Sequence, residues 1–563
     1  MKNNICEKAK DIFKDKRCNI ISLIIAIILS LFQVIGHSID NYMSLDGILK
    51  DKTTLVNSIV SFFGYTLVLF FILVLLYKII FPKILRKEEK NYKFFTNNKR
   101  SFILVAIFIF IMYIPYFLNE FPRIISPDSL SEILQGMGYR QLANHHPIAH
   151  IGIIAIAMNI GKAIGNYNIG IGIYSIFQMI LTACVFSYTI YFMAKYKVSN
   201  VLRGIVLIIY AFYPPFAIYS VTMWKDIPFA LFMTLYVTFL IEIAIDKETI
   251  KRKSFNIKFL ITMILVFLFR NNGIYVLFLS MPFVIAMYKG YRKKLIVLYL
   301  IVFSIYAIFT GPVFKIFNIK KSSIRETLSV PLQQFARVWI KNNETLTEEE
   351  KELIHTFLPG DDIEQAYNPM FSDPIKAKFS NQVWKEKKIE VIKLCVKFWI
   401  KYPKTSLEAL LCNCYGYWYP DCKGCVSSYD FARTADIIAK DETDRRAFEV
   451  EYDKSPIIKI NICEYLKVKT NEKSFNIETI WYSIGFVFWL FIISYGYIIY
   501  RKKYKISIAY IPVIALWLTT LASPLAIEYR YIYSLFTCFP IIGISTIEFA
   551  NKKEISSEKG EQL

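Results

Sequence analysis

Residues 55–80 read LVNSIVSFFGYTLVLFFILVLLYKII, an apolar run in which Lys78 is the single charged side chain. A helix of about 20 apolar residues crosses a hydrocarbon core of roughly 30 Å. Similar runs occupy residues 21–35 and 102–118, and 55% of the whole chain is hydrophobic. Soluble domains average about 45–50% apolar residues. The sequence therefore predicts an α-helical polytopic membrane protein.

The formal net charge of +22 would suit a protein that binds nucleic acid. The lysines and arginines, however, cluster in short loops between apolar runs, where the positive-inside rule places them. We therefore expect the lipid bilayer as a partner and no nucleic acid. The basic N-terminus precedes an apolar run without a prompt A-x-A-like cleavage site, which predicts an uncleaved first helix in the plasma membrane.

Loop charge predicts twelve membrane spans with both termini in the cytoplasm. The apolar stretch 148–165 is excluded from this count, because a span there would move every later basic loop to the opposite face. We expect it to form a juxtamembrane helix instead. The predicted spans are residues 19–36, 54–81, 101–118, 170–193, 201–222, 227–246, 257–271, 273–288, 293–311, 479–500, 506–523 and 529–546.

Charged residues, prolines and glycines interrupt the apolar pattern over residues 312–478, which predicts a mostly α-helical extracytoplasmic domain. Thr347, followed by three glutamates, is typical of a helix start. The expected division is a two-helix segment with a basic loop (1–100), a membrane core (101–311), this domain (312–478), three C-terminal spans (479–546) and a cytoplasmic tail (547–563).

Two features of this domain allow more than one interpretation. Cys412, Cys414, Cys422 and Cys425 are compatible with disulfides, free thiols or a metal site, and their spacing is not that of a standard zinc finger. The aromatic stretch 415–420, YGYWYP, is compatible with a sugar-stacking platform or a patch resting on lipid headgroups.

Under this topology, acidic and histidine side chains meet at the outer membrane boundary, where ionisable groups usually serve a function. Asp128 follows Ser126-Pro127 and is a candidate catalytic carboxylate, or a helix-capping residue, or both. Asp226 is a candidate second acid facing the same cavity. His146 opens the juxtamembrane stretch and is a candidate for hydrogen bonding to substrate; with His150, four residues on, it is alternatively a metal pair.

Cationic and amide side chains at the same boundary suit an anionic ligand. An arginine between two short helices is costly unless it meets an anion, and arginine binds phosphate in a bidentate manner. A neighbouring carboxylate is the alternative partner. The candidate substrate- or phosphate-binding residues are His146, Lys225, Arg270, Asn271, Gln333, Arg337, Glu528 and Arg530.

Six short motifs together resemble a known pattern. They are Ser126-Pro127-Asp128, His146-Pro147, residues 224–228 (WKDIP), residues 270–273 (RNNG), residues 331–334 (PLQQ) and residues 528–531 (EYRY). The chain resembles the GT-C superfamily of membrane glycosyltransferases and, more closely from about residue 100 to 545, a bacterial membrane-protein family named domain of unknown function 6020. It departs from the superfamily in having His-His-Pro-Ile at 145–148 and no Asp-x-Asp in either outer loop, so a divalent metal has no motif to support it.

The resemblance implies a GT-C-like bundle and transfer of a sugar from a polyprenyl-phosphate donor to a glycan, lipid or protein acceptor of the cell envelope. Asp128 would act as general base in an inverting displacement, and Arg270 and Arg530 would stabilise the departing phosphate. A lipid-linked glycan flippase and a cell-surface polysaccharide polymerase or ligase are the alternatives. A flippase predicts charges lining several mid-membrane helices and inverted repeats, whereas a polymerase predicts a diphosphate-linked polymer as substrate.

Overall fold

The computed structural model describes residues 13–84, 97–122, 125–422, 457–458, 480–524 and 527–551. Over these ranges the chain is helical, and extended residues meet only in isolated bridges. The predicted all-α fold is confirmed. The helices of the first part are α1 (Lys16–Tyr42), α2 (Lys52–Leu75), α3 (Lys99–Asn119), α4 (Pro127–Gly136), α5 (Ile148–Ile164), α6 (Tyr167–Lys195), α7 (Asn200–Phe212), α8 (Pro214–Ser220), α9 (Asp226–Ile245), α10 (Lys253–Phe269), α11 (Gly273–Met287) and α12 (Arg292–Ile308).

The remaining named helices belong to the polar insertion and the C-terminal part. Those of the insertion are α13 (Ser329–Asn342), α14 (Glu348–Phe357), α15 (Asn381–Lys401) and α16 (Pro403–Cys414). Those of the C-terminal part are α17 (Ile484–Tyr500), α18 (Ile511–Ala522) and α19 (Tyr533–Phe539).

Eight helices among the described residues are long and apolar enough to cross a membrane, or nine if one bent pair is a single span. The chain is therefore a multi-pass membrane protein. A helix occupies each of the twelve predicted spans, but α10, α11 and α17 have only 17, 15 and 17 residues. The number twelve stays a prediction.

One predicted span, residues 201–222, is broken in the structure. Helices α7 and α8 meet at an angle of 51°. Tyr213 at the break is extended (φ −73°, ψ 110°), as expected before a proline, and Pro214 and Pro215 supply no backbone N–H to continue α7. The Pro-Pro pair explains the bend, and the crossing of the membrane by residues 201–222 as one span stays a prediction.

Polar contacts sort the described loops into two groups at opposite ends of the bundle. At one end, Asp15 pairs with Lys78 and Tyr500, and Glu242 pairs with Lys195. We call this the Asp15 end. The other end, the Asp128 end, joins the loops after α1, α3 and α10 to the segments before α9 and α19 and to the insertion. The two groups are those that the sequence predicts for the two membrane faces; which end faces the cytoplasm stays a prediction.

Helix α5 packs on the beginning of α6 rather than along its length. Gly161 lies against Gly170, and His150 lies against Tyr174. Farther along α6, Ser175 donates to the carbonyl of Pro122, immediately beyond α3. The contacts of α5 with α6 therefore lie at the Asp128 end, which supports a juxtamembrane position for α5.

The described part of the insertion has its own apolar core, built from α13, α14 and α15 around Leu332, Phe335 and Phe398. Residues 412–422, which the sequence assigns to the same domain, belong instead to the main core of the membrane bundle. Trp418 packs against Phe32 of α1, with tilted rings whose centroids are 5.2 Å apart. The insertion is thereby attached to the bundle at the Asp128 end.

Candidate functional site

Asp128 sits in the first turn of α4, at the Asp128 end. Ser126 caps this helix, and the capping box with Ser129 fixes the turn, so the alternative that Asp128 is the capping residue is wrong. The Asp128 carboxylate lies 2.9 Å from Arg530 Nη1 and 3.3 Å from Lys225 Nζ. Burial favours the protonated carboxyl, but the two cations outweigh it and hold the pKa of Asp128 well below its usual range.

The segment before α9 contacts both the start of α4 and Arg530. Trp224 donates its indole N–H to Ser126 Oγ at 2.6 Å, and the Arg530 guanidinium lies 5.1 Å from the Trp224 ring centroid. Lys225 lies 3.3 Å from Asp128, whereas Asp226, the first residue of α9, lies 3.2 Å from Arg270. The WKDIP motif thus directs consecutive side chains into one cluster.

Arg530 and Arg270 join the two aspartates through Tyr531. Arg530 donates to the Tyr531 hydroxyl at 2.8 Å, and Arg270 donates to the Tyr531 carbonyl at 3.0 Å. Arg270 Nη1 is also 3.2 Å from Asp226 Oδ1. The result is a continuous chain of polar contacts, Asp128–Arg530–Tyr531–Arg270–Asp226, which brings both predicted acids into one site.

Asp226 differs from Asp128 in its surroundings. Its side chain is 2% exposed against 31% for Asp128. Although Arg270 is near, neither carboxylate oxygen of Asp226 makes a hydrogen bond of good geometry. A buried carboxylate in that condition is costly, so Asp226 is the more constrained of the two acids and Asp128 the more accessible.

Glu528 and Asn271 complete the cluster. Glu528 accepts from Arg530 Nε, and its backbone N–H donates to the Tyr417 hydroxyl at 3.3 Å. Asn271 donates to the carbonyl of Asn144, which fixes the loop after α10 against the loop that carries the histidines. Glu528 and Asp128 thus both contact Arg530, and Asn271 helps to position the loop that carries the histidines.

A buried carboxylate that sequence reasoning missed lies behind His146. Glu132 is 1% exposed and lies 2.9 Å from His150 Nδ1 and 3.5 Å from His146 Nδ1. His150 Nε2 is hydrogen bonded to the Tyr174 hydroxyl. Glu132 follows Asp128 by four residues on α4, and that spacing, which places both on one helix face, was the available signal.

His146 is an uncharged neighbour of Lys225. The distance from His146 Nδ1 to Lys225 Nζ is 3.0 Å. Burial, and then the charge of Lys225, lower the pKa of His146 to about 4, so its ring is neutral near pH 7. Burial likewise lowers the pKa of His145. Both rings can therefore accept or donate hydrogen bonds without adding charge.

A comparison with protein families matches residues 137–561 to the family described as "Family of unknown function (DUF6020)". The chain belongs to the DUF6020 family. No curated protein and no solved structure matches it. The matched region begins later than the expected residue 100, so Asp128 and Glu132 on α4 lie outside it, whereas His146, Lys225 and Arg530 lie within it.

In this DUF6020 chain, the side chains of Asp128, His145 and His146 form one group among the described residues that could hold a metal ion, with ligand atoms within 4.8 Å of one another. Lys225 already brings a positive charge to within 3.3 Å of Asp128 and 3.0 Å of His146, and a divalent cation would compete with it. The alternative pair of His146 and His150 stays a prediction; His150 Nδ1 lies 2.9 Å from Glu132, and its Nε2 is hydrogen bonded to Tyr174.

Two predicted phosphate ligands, Arg337 and Gln333, are placed elsewhere. Arg337 pairs with Glu408 at 2.8 Å and donates to the carbonyl of Met43, and it is 3% exposed. Gln333 donates to the carbonyl of Asn368 at 2.9 Å. Among the described contacts, none joins either residue to the Asp128 cluster. Burial within the insertion leaves Arg337 no access for a phosphate, and its interpretation as a phosphate ligand is corrected to that of a structural tie.

The cysteines and the aromatic stretch also receive definite places. Cys395, Cys412 and Cys414 are free thiols, and Cys422 is disulfide-bonded; Cys425 lies outside the described residues. The side chains of 415 and 417–419 are buried in the bundle core. Neither a sugar-stacking platform nor a lipid-facing patch fits buried rings, so both interpretations of residues 415–420 are wrong.

Proposed function

We propose that the protein is a GT-C-type membrane glycosyltransferase that moves a sugar from a polyprenyl-phosphate donor to an acceptor of the cell envelope. The observation that carries the proposal is the chain of contacts from Asp128 through Arg530, Tyr531 and Arg270 to Asp226. It combines a partly exposed carboxylate with two guanidinium groups at one end of a membrane bundle. Glycosyl transfer from a lipid phosphate needs a proton acceptor and cations for the leaving phosphate.

In the proposed reaction, the acceptor hydroxyl oxygen attacks the anomeric carbon and its proton passes to the Asp128 carboxylate. The bond between the anomeric carbon and the phosphate oxygen breaks, and the electron pair leaves with the polyprenyl phosphate. Arg530 and Arg270 stabilise the negative charge of that phosphate. A single displacement of this kind inverts the anomeric centre, and Asp226 and Lys225 orient the sugar.

The pairing of Asp128 with two cations shapes this mechanism. A carboxylate whose pKa is held far below neutrality is a weak proton acceptor. A donor phosphate against Arg530 and Lys225 would share their charge, and weaker pairing raises the pKa of Asp128. Donor binding would thus make Asp128 a better base at the moment when the acceptor needs one.

His146 serves as a positioning residue in this proposal. Its neutral ring accepts from Lys225 through Nδ1, so it holds the lysine that faces Asp128. The large insertion, and with it the site, would lie outside the plasma membrane, with both termini in the cytoplasm. That orientation follows from the basic loops of the Asp15 end.

The test compares two conservative variants of carboxylates that share Arg530. In proteoliposomes, D128N should lower the acceptor-dependent release of polyprenyl phosphate by about 10²- to 10⁴-fold, the usual value of a general base. E528Q removes the other carboxylate on Arg530 and should retain most activity. Equal losses in both variants, at unchanged expression, would mean that Asp128 only neutralises Arg530. Turnover of a diphosphate-linked polymer instead would favour the polymerase alternative.

A further inference from the structure

Helix α15 carries an apolar stripe that packs on nothing within the described chain. Ile389, Ile392, Val396 and Ile400 recur at spacings of three and four, which puts them on one face of the helix. Their side chains are 47% to 77% exposed. Four large aliphatic side chains in a row are more than the scattered apolar exposure of an ordinary protein surface.

The opposite face of the same helix already holds the insertion together. Val391, Leu394 and Phe398 are buried in the core shared with α13. The helix is therefore apolar on two faces, and only one of them is used for folding. The exposed face requires a separate explanation.

Both ends of α15 are tied to loops at the Asp128 end of the bundle. At its start, Asn381 accepts from Ser323, and the neighbouring Ser322 donates to Asn144 in the histidine loop. Just beyond its end, Lys404 pairs with Asp46 in the short connection between α1 and α2. The two anchors therefore place both ends of α15 beside loops that adjoin membrane-spanning helices.

The residues beside the stripe suit a lipid interface. Lys385, Lys388 and Lys393 are exposed, and the half-buried Trp399 flanks the stripe. The helix holds six lysines and two glutamates, so it is cationic as a whole. Lysine and tryptophan beside an aliphatic face are the composition of helices that lie in the headgroup region of anionic membranes.

We propose that α15 is an interfacial helix whose Ile389–Ile400 stripe inserts into the bilayer surface beside the bundle, with its lysines on anionic headgroups. The insertion is then held to the membrane at a third place, besides Lys404–Asp46 and Ser322–Asn144. This inference does not depend on the proposed enzymatic activity. Insertion of α15 into the bilayer surface would hold the insertion in place at the Asp128 end, whatever reaction the site performs.

The experiment uses the full-length protein reconstituted in vesicles of equal parts phosphatidylglycerol and phosphatidylcholine. A photoreactive benzoylphenylalanine replaces Val396 in one sample and Ile392 in another, and mass spectrometry detects lipid adducts after illumination. Glu390 is the matched control, because it is exposed on the same helix but lies off the stripe. Adducts are expected at Val396 and Ile392 and should be lost at Glu390.

A second measurement tests the lysines without altering the stripe. The triple variant K385Q/K388Q/K393Q should lower the preference for phosphatidylglycerol adducts at Val396 by about fivefold for each lysine that contacts the headgroups. Equal labelling at Glu390 and Val396, absence of lipid adducts at Val396, or crosslinking of Val396 to a second copy of the chain would overturn the proposal. An unchanged lipid preference in the triple variant would overturn the role of the lysines.

Discussion

Replacement of Arg337 by methionine separates a structural tie from a phosphate ligand. Arg337 donates through Nε and Nη2 to Glu408 at 3.2 and 2.8 Å, and through Nη1 to Tyr367 at 3.1 Å. Both partners of the ion pair are at most 5% exposed. Removal of one partner of a buried ion pair costs about 3–5 kcal/mol, because the other charge is left buried without compensation. We expect R337M to lose that much stability.

A second variant makes this magnitude checkable. Glu408 also accepts from the backbone N–H of Leu45 at 2.9 Å. E408Q keeps this acceptor and removes the charge, so R337M/E408Q should recover much of the stability that R337M alone loses. The comparison of R337M with R337M/E408Q therefore tests the uncompensated charge of Glu408 and not merely the loss of the Arg337 side chain.

The assay needs no knowledge of the substrate. Cys412 is a buried free thiol 3.8 Å from Arg337 Nη1, and loosening of the contact between the insertion and α1 should expose it to maleimide. Thermal unfolding of detergent-solubilised protein gives the stability. If R337M kept its unfolding midpoint and its protected thiol, but raised the KM for a lipid-phosphate donor, Arg337 would be a phosphate ligand and the structural reasoning would be refuted.

Three further predictions concern Glu132, the titration of His146, and the packing of α5 on α6. E132Q should lower the free energy of unfolding by about 1 kcal/mol, measured by thermal unfolding, because it weakens the contact of the Glu132 carboxylate with His150 Nδ1 at 2.9 Å; no change would contradict the pairing. The native pKa of His146, about 4, lies below its ordinary 6.5. As pH falls from 6.5 to 4, the unfolded chain binds a proton at this residue before the native chain does, so the free energy of unfolding should decrease. The value of kcat/KM should stay flat from pH 6 to 8. An inflection of kcat/KM near pH 6.5 would contradict the lowered pKa of His146. G170V should destabilise the protein by about 1–3 kcal/mol, since a Cβ there would lie 2.7 Å from the Ala157 carbonyl oxygen, whereas G152A, in open space, should be neutral in the same unfolding assay.

Local signals in the sequence were sufficient for the helices. Apolar runs predicted their places, and Thr347 was correctly identified as a helix cap, since its side chain and that of Glu350 form a capping box. These features depend on neighbours within a few residues. The break at Tyr213 also has a local cause, the Pro-Pro pair, which the prediction of a span over residues 201–222 did not use.

Long-range pairing was beyond sequence reasoning. The sequence predicted Arg337 as a phosphate ligand. In the structure its guanidinium donates to Glu408, 71 residues later, and to the carbonyl of Met43, 294 residues earlier. The rings of 417–419 suited an exposed platform, but all three are buried in the bundle core, where Phe32 of α1 packs on Trp418. By contrast, Arg530 and Asp128 are 402 residues apart, and their common location was expected from topology alone.

The most direct test of the central claim is the turnover of defined donors by the wild-type protein in proteoliposomes. A panel of polyprenyl-monophosphate sugars is supplied with cell-envelope acceptors, and released polyprenyl phosphate and the configuration of the product are measured. We expect acceptor-dependent release from at least one monophosphate donor, with inversion at the anomeric carbon. Release from none of them, or a product with retained configuration, would contradict it.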